Sequence, residues 1–150
     1  MVASISAQEE VGERGVAAAA RHFSPAVAYL FEGCPADDTF TPADEVGAAL
    51  SRGPMFRYFD VCMITHPRYQ RFVLDVAAEK NLPAQTSVRE GGGTNGGVVH
   101  QLDIPSVVAG IPCRYIHAGT SVCDPADIVS AAEIAVAVAE RLTPEVLASF

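Results

Sequence analysis

The run AVAYLF, from Ala26 to Phe31, holds six apolar residues without a polar break and stops at Glu32. It has strand length and lacks the two-residue alternation of a strand with one wet face. It therefore reads as a strand buried on both faces. A sheet built from such strands must be covered on two sides, and the chain supplies helical patterns to do so. Val16 to His22 is alanine-rich. In HPRYQRFVLDVAAEKN, Tyr69, Phe72, Val73, Val76 and Ala77 recur at helical spacing, with Pro67 suited to the first turn. In DPADIVSAAEIAVAVAERL, Asp124 is placed to cap and Pro125 to start a helix, with Ile128, Ala131, Ala132, Ala135, Val138 and Ala139 on one face.

Between these helices lie further strand candidates: MVASISA at the start, GPMFRYFDVCMI, LPAQTSVRE, the buried run IPSVVAGIP, and CRYIHAG as a strand or extended segment. Gly33 to Asp44, with two prolines and three aspartates, reads as a loop. GGGTNGG is a glycine-rich loop, and VVHQLD is of a length for a short helix. Strands alternating with helices make this an α/β chain with a largely parallel or mixed sheet. Its 150 residues fit one domain.

Charge narrows the function classes. The formal net charge is −8 and no Lys/Arg cluster is present, which argues against nucleic acid or an anionic membrane as partner. No apolar run approaches the roughly 18 residues that span a bilayer. No basic segment precedes an apolar one at the N-terminus, so no secretory signal is visible. Cys34, Cys62, Cys113 and Cys123 form no CxxC pair and read as reduced thiols of a cytoplasmic protein.

Several polar residues stand where chemistry is done. Glu9 and Glu10 are adjacent, and neighbours on an extended chain or turn diverge. Either they form a solvated acidic turn, or one ligates a metal while the other reaches a water bound to it, the division that metal-assisted hydrolysis requires. Glu32 ends its apolar run as Glu10 follows the first strand candidate, at the strand ends where open α/β sheets bind ligands. Two carboxylates converging there repel unless a cation lies between them. The alternative is a surface glutamate at a loop start. His117 follows buried sequence in CRYIHAGTSV and is a structural histidine or a ligand. His22 and His66 flank helices as surface or capping residues, and His100 faces core or cleft. GGGTNGG lacks the lysine of a phosphate loop, so its glycines read as allowing close backbone approach.

SAQEEVGERG, FEGCPADD, GGGTNGG and IPCRYIHAGTSVCDPADI stand in the order, and at about the spacings, of the M42 family of zinc aminopeptidases. The chain resembles that family over essentially its whole length. The resemblance implies a three-layer α/β/α mixed sheet, part of a zinc-peptidase-like catalytic domain. It implies Glu9 as general base, Glu10 and His117 as ligands of one metal, and Glu32 as a ligand of a second, where the family more often has aspartate. Gly93, Thr94 and Asn95 would bind substrate, with Asn95 standing where aspartate is common. Two divalent ions, zinc or cobalt, are implied for the complete enzyme, with partial occupancy in this chain, and so are a peptide substrate and homo-oligomeric assembly. The resemblance is to the C-terminal portion of the catalytic domain. The N-terminal portion, which supplies a further histidine and a bridging aspartate, and the inserted β-rich domain have no counterpart in these 150 residues. The expected function is therefore hydrolysis of N-terminal residues from peptides, with the chain inactive alone. The competing expectation is a non-catalytic structural or regulatory domain that keeps the fold.

Overall fold

The computed structural model describes residues 1–150. Ten elements follow in chain order: α1 (Arg14–Phe23), β1 (Ala28–Pro35), β2 (Met55–Arg57), α2 (Pro67–Glu79), β3 (Gln85–Ser87), α3 (Asn95–His100), β4 (Ser106–Arg114), β5 (Val122–Cys123), α4 (Pro125–Arg141) and α5 (Pro144–Leu147). The strands form one mixed sheet in the order β1-β4-β2-β3. β1 runs parallel to β4 over eight residue pairs, from Ala28 opposite Ser106 to Pro35 opposite Cys113. β2 and then β5 pair antiparallel with β4. Because β1 occupies one edge of β4 throughout, both must lie on the other.

The two faces of β4 define the layers. Val107 and Ala109 share a core with Phe56, with Tyr69 and Val73 of α2 and with Ile134 of α4. The intervening Val108 turns to the opposite face, where it packs against Gly96 of α3, and α1 lies beside α3. Helices thus cover the sheet on both sides. All three residues are essentially inaccessible, so β4 is the strand buried on both faces that an uninterrupted apolar run implies.

β1 departs from that expectation. Phe31 is 54% exposed, because β1 is an edge strand paired only with β4. The strand also continues through Glu32 and on to Pro35, so Glu32 lies inside it and not at its end. The proline-rich loop expected from Gly33 therefore begins later, the buried Cys34 holding the chain on the sheet. MVASISA forms no strand. A β-strand exists only with a ladder partner, and none of the pairings in the sheet involves these residues. GPMFRYFDVCMI shrinks to Met55–Arg57, because Asp60 accepts the amides of Cys62 and Met63 and turns the chain. The strand of CRYIHAG stops at Arg114, after which Tyr115 and His117 adopt left-handed φ of 60° and 65°.

The helices follow their start signals. His66 accepts the Tyr69 amide through Nδ1 and Pro67 opens α2. Asp124 accepts the Ala126 amide and Pro125 opens α4. The buried stripe of α4 is rotated from the one the apolar residues suggest. It carries Asp127, Ser130, Ala131, Ile134, Ala137 and Val138, whereas Ile128 is 48% exposed. The cause is Asp127, whose carboxylate accepts the amides of Ser51 and Gly53 at 2.9 and 2.7 Å and so turns the first helical turn toward that loop.

Ile134 and Val138 touch no water. Replacing either with Asp is expected to cost at least about 3 kcal/mol, because the charge would be buried unpaired. Ile128→Asp should stay within about 0.5 kcal/mol of the parent. Urea denaturation of the three variants checks the rotation of the stripe directly.

Candidate active site

A tight turn sets the two adjacent glutamates. The amides of Gly12 and Glu13 both donate to the Glu9 carbonyl, at 3.1 and 2.9 Å. Gln8, Gly12 and Glu13 take positive φ. The turn sends the two side chains apart, leaving Glu9 half-buried and Glu10 exposed.

Glu10 meets His117. Its Oε2 lies 3.8 Å from His117 Nε2, and the two side chains are 75% and 70% exposed. That separation is too long for a hydrogen bond. Two ligands of one tetrahedral ion, each at about 2.1 Å, stand about 3.4 Å apart, so a shift of a few tenths of an ångström would let an ion bridge them. His117 reaches this position because β4 ends at Arg114 and the amide of Ala118 closes a turn onto the Tyr115 carbonyl.

Glu32 is half-buried within β1, under the charge of Glu9 and Glu13. Burial pushes its carboxyl up to about 7. A hydrogen bond from the Asn95 amide and the charge of Arg57 oppose the rise, while Glu9 and Glu13 add to it. The Asn95 bond is 2.8 Å long and comes from the first residue of α3. Arg57 is itself buried against Asp60 at 2.8 Å. Burial also raises the Glu13 carboxyl, with Glu9 and then Asp60 contributing. Glu13, Arg57 and Asp60 thus belong to the electrostatics around Glu32, although the sequence reading gave them no role. Glu13 was within reach, since it shares the QEEVGERG segment. Asp60 was hidden in a run read as strand.

Of the candidate residues, Glu10 and His117 approach to 3.8 Å, whereas Glu9 bears on Glu32 through its charge. No group of three or more His, Cys, Asp or Glu side chains is arranged to hold an ion. In the glycine-rich segment, Thr94 is buried and caps α3, accepting the Gly96 amide. Asn95 lines an apolar groove between the N-terminal residues, α1 and β1, and its Oδ1 is buried without a partner. A Cβ on Gly93 would stand 2.6 Å from Cys62 Sγ, and one on Gly97 2.7 Å from Cys62 Cβ. Close packing against Cys62, and not a phosphate, accounts for these glycines.

The Glu32 shift has a thermodynamic consequence. Its folded pKa lies above the ordinary 4.5, so the folded chain holds that proton more tightly than the unfolded one. Stability must then fall as pH rises between about 4.5 and about 7. In chelator, the wild type is expected to lose of order 1–3 kcal/mol across that window. Glu32→Gln should lack this slope and be the more stable protein near neutrality. Denaturant titrations at about pH 5 and about pH 8 measure both. Equal slopes would mean a solvated carboxyl.

Residues 1–134 match the family model of the M42 glutamyl aminopeptidases. The chain is 31% identical over 150 residues to a glutamyl aminopeptidase of Lactococcus lactis, covering 99% of this chain and 41% of that protein. Its structure superposes on the aminopeptidase APDkam598 of Desulfurococcus kamchatkensis with a TM-score of 0.92 at 31% identity, covering 96% of this chain and 42% of the other. It superposes on the TET1 peptidase of Pyrococcus horikoshii, which can assemble into a tetrahedron or a large octahedral shell, with a TM-score of 0.80 at 25% identity, covering 92% of this chain and 40% of that one. The chain thus spans about two fifths of the length of these relatives. It shares their sheet with its flanking helices, and it belongs to the M42 glutamyl aminopeptidase family.

Proposed function

We propose that this chain is the C-terminal portion of a two-metal aminopeptidase domain, acting on the N-terminal residues of peptides. The observation that carries the reading is the meeting of Glu10 and His117, 107 residues apart in sequence, at 3.8 Å. These two side chains would hold one divalent ion, zinc or cobalt. Glu32, half-buried with its carboxyl raised under neighbouring negative charge, would belong to a second. A divalent ion so held supplies Lewis acidity that polarises the scissile carbonyl. Glu9, half-buried, bearing on Glu32 through its charge and not one of the pair on His117, is the general base that removes a proton from the attacking water. Asn95 lines the apolar groove and would contact the substrate, with Gly93 lending backbone. Thr94 would serve it by fixing the start of α3.

A catalytic zinc takes three protein ligands, and the candidates within these 150 residues number two and one. A second reading is a non-catalytic relative that keeps the fold, since no group of three or more candidate ligands within these residues is arranged to hold an ion. Self-association is part of both readings. Its support is the solitary ladder of β1, whose outer edge is open, and the apolar groove beside it.

Metal titration separates the two readings. Calorimetry with zinc should show weak binding that Glu10→Gln or His117→Ala lowers at least about tenfold, while Glu9→Gln leaves it nearly intact. In a complete enzyme carrying these motifs, Glu9→Gln should cut turnover by about 10²–10⁴. Loss of metal in Glu9→Gln but not in Glu10→Gln would exchange the roles, and no specific binding at all would leave the non-catalytic reading. The isolated chain with added zinc or cobalt is expected to show no turnover of glutamyl- or leucyl-p-nitroanilide and to elute as an oligomer. Chelator-sensitive turnover lost in Glu9→Gln would show that these residues suffice.

A further inference from the structure

Cys113 and Cys123 face each other across β4 and β5. The Cys113 carbonyl accepts the Ala36 amide at 2.9 Å, on the β1 side. Within a strand, the N–H and C=O of one residue point to the same edge. Cys113 therefore directs both toward β1, and its partner on the opposite edge, Cys123, is a non-hydrogen-bonded neighbour. Such antiparallel pairs hold their Cα atoms about 4.5 Å apart, with side chains close together on one face. That spacing falls within the roughly 4.4–6.8 Å over which a disulfide closes without backbone movement.

The neighbourhood agrees with the backbone. Burial raises the Cys113 pKa, and the adjacent Cys123 thiol raises it further. Both cysteines are half-buried, open enough for a small oxidant to reach. The other two differ. Cys34 is sealed in the core, where burial pushes its thiol up to about 11. Cys62 is exposed, and partial desolvation, then Asp60 and Glu13, raise its thiol pKa. The segment between the pair, Arg114 to Val122, carries the left-handed turn of Tyr115 and His117.

We propose that Cys113 and Cys123 form a redox-active pair that closes to an intramolecular disulfide in the presence of a low-molecular-weight disulfide and braces the His117 turn. The Cys123 thiolate attacks one sulfur of oxidised glutathione, and the first glutathione thiolate leaves. Cys113, deprotonated in its turn, attacks the Cys123 sulfur of the mixed disulfide and expels the second. Two protein thiols are oxidised to one disulfide, and one glutathione disulfide is reduced to two thiols. The pairing stands on the β4–β5 geometry alone, whereas its bearing on an ion at His117 rests on the function proposed above.

The experiment treats the purified chain with oxidised glutathione, unfolds it, and counts thiols. The expected loss is two of the four, with a non-reducing peptide map joining the Cys113 and Cys123 peptides. The Cys34→Ser/Cys62→Ser double variant should close equally well. Cys123→Ser should instead stop at a glutathione adduct or stay reduced. Retention of all four thiols in the wild type, adducts without a bridge, or a bridge through Cys34 overturns the assignment. Amide exchange of residues 115 to 121 should slow in the bridged form, and unchanged exchange overturns the brace. Neither readout requires a metal, so the result is independent of the metal titration.

Discussion

β4 is paired on both edges at Ala109 and Gly110 and covered on both faces. β1 takes the backbone groups on one side, β2 and then β5 take those on the other, and helices cover Val107 and Ala109 on one face and Val108 on the opposite one. A slip of one residue would exchange those faces and drive each side chain into the wrong layer. The register is therefore fixed, and with it the placement of chemistry. Glu32 stands opposite Gly110 because β1 is locked on β4. His117 stands beside Glu10 because β4 ends at Arg114 and turns.

The surroundings of Glu32 are negative in a way that the pairwise contacts moderate without cancelling. Arg57 is the one cation acting on Glu32, and it is already committed to Asp60 at close range. Glu9 and Glu13 bear on the same carboxyl. A half-buried carboxyl raised to about 7 carries its proton in roughly half the molecules at neutrality, and a cation would release it. The backbone amide of Asn95 is bonded to Glu32, and the Asn95 side chain adds no charge beside it. Its Oδ1 is a buried acceptor without a donor.

What could be read from the sequence follows a physical line. The helix starts at Pro67 and Pro125 were legible because caps and proline act within a few residues. The layer class was legible because strands and helices alternate. Edge status was not. AVAYLF and SVVAG look alike as apolar runs, and only the strand order separates the edge strand β1, with Phe31 exposed, from β4, with Val108 buried. MVASISA has the composition of a strand but no ladder, and composition cannot supply a partner. On α4, Asp127 overrode the apolar stripe through two amides more than seventy residues away. The pairing of Glu10 with His117 was reached through family motifs, because no local rule joins residues so far apart. Glu13 and Arg57 were missed because their effect on Glu32 is spatial.

The pairing of β1 with β4 joins residues 28 and 106, and this long reach bears on how the chain folds. Contacts distant in sequence cost loop-closure entropy before they return any stabilisation, so they form late. The segment from β2 through α2 to β3 is a β-α-β unit whose parallel strands lie far closer in sequence. It has its own helix to pack on and is the natural early nucleus. β4 can dock on it through Phe56 and Ala109 before β1 arrives. Until it does, Tyr29, Leu30 and Phe31 remain in water beside the unfilled edge of β4. The rate of that last closure, set against the rate of encounter with another chain, governs the yield of correctly folded protein.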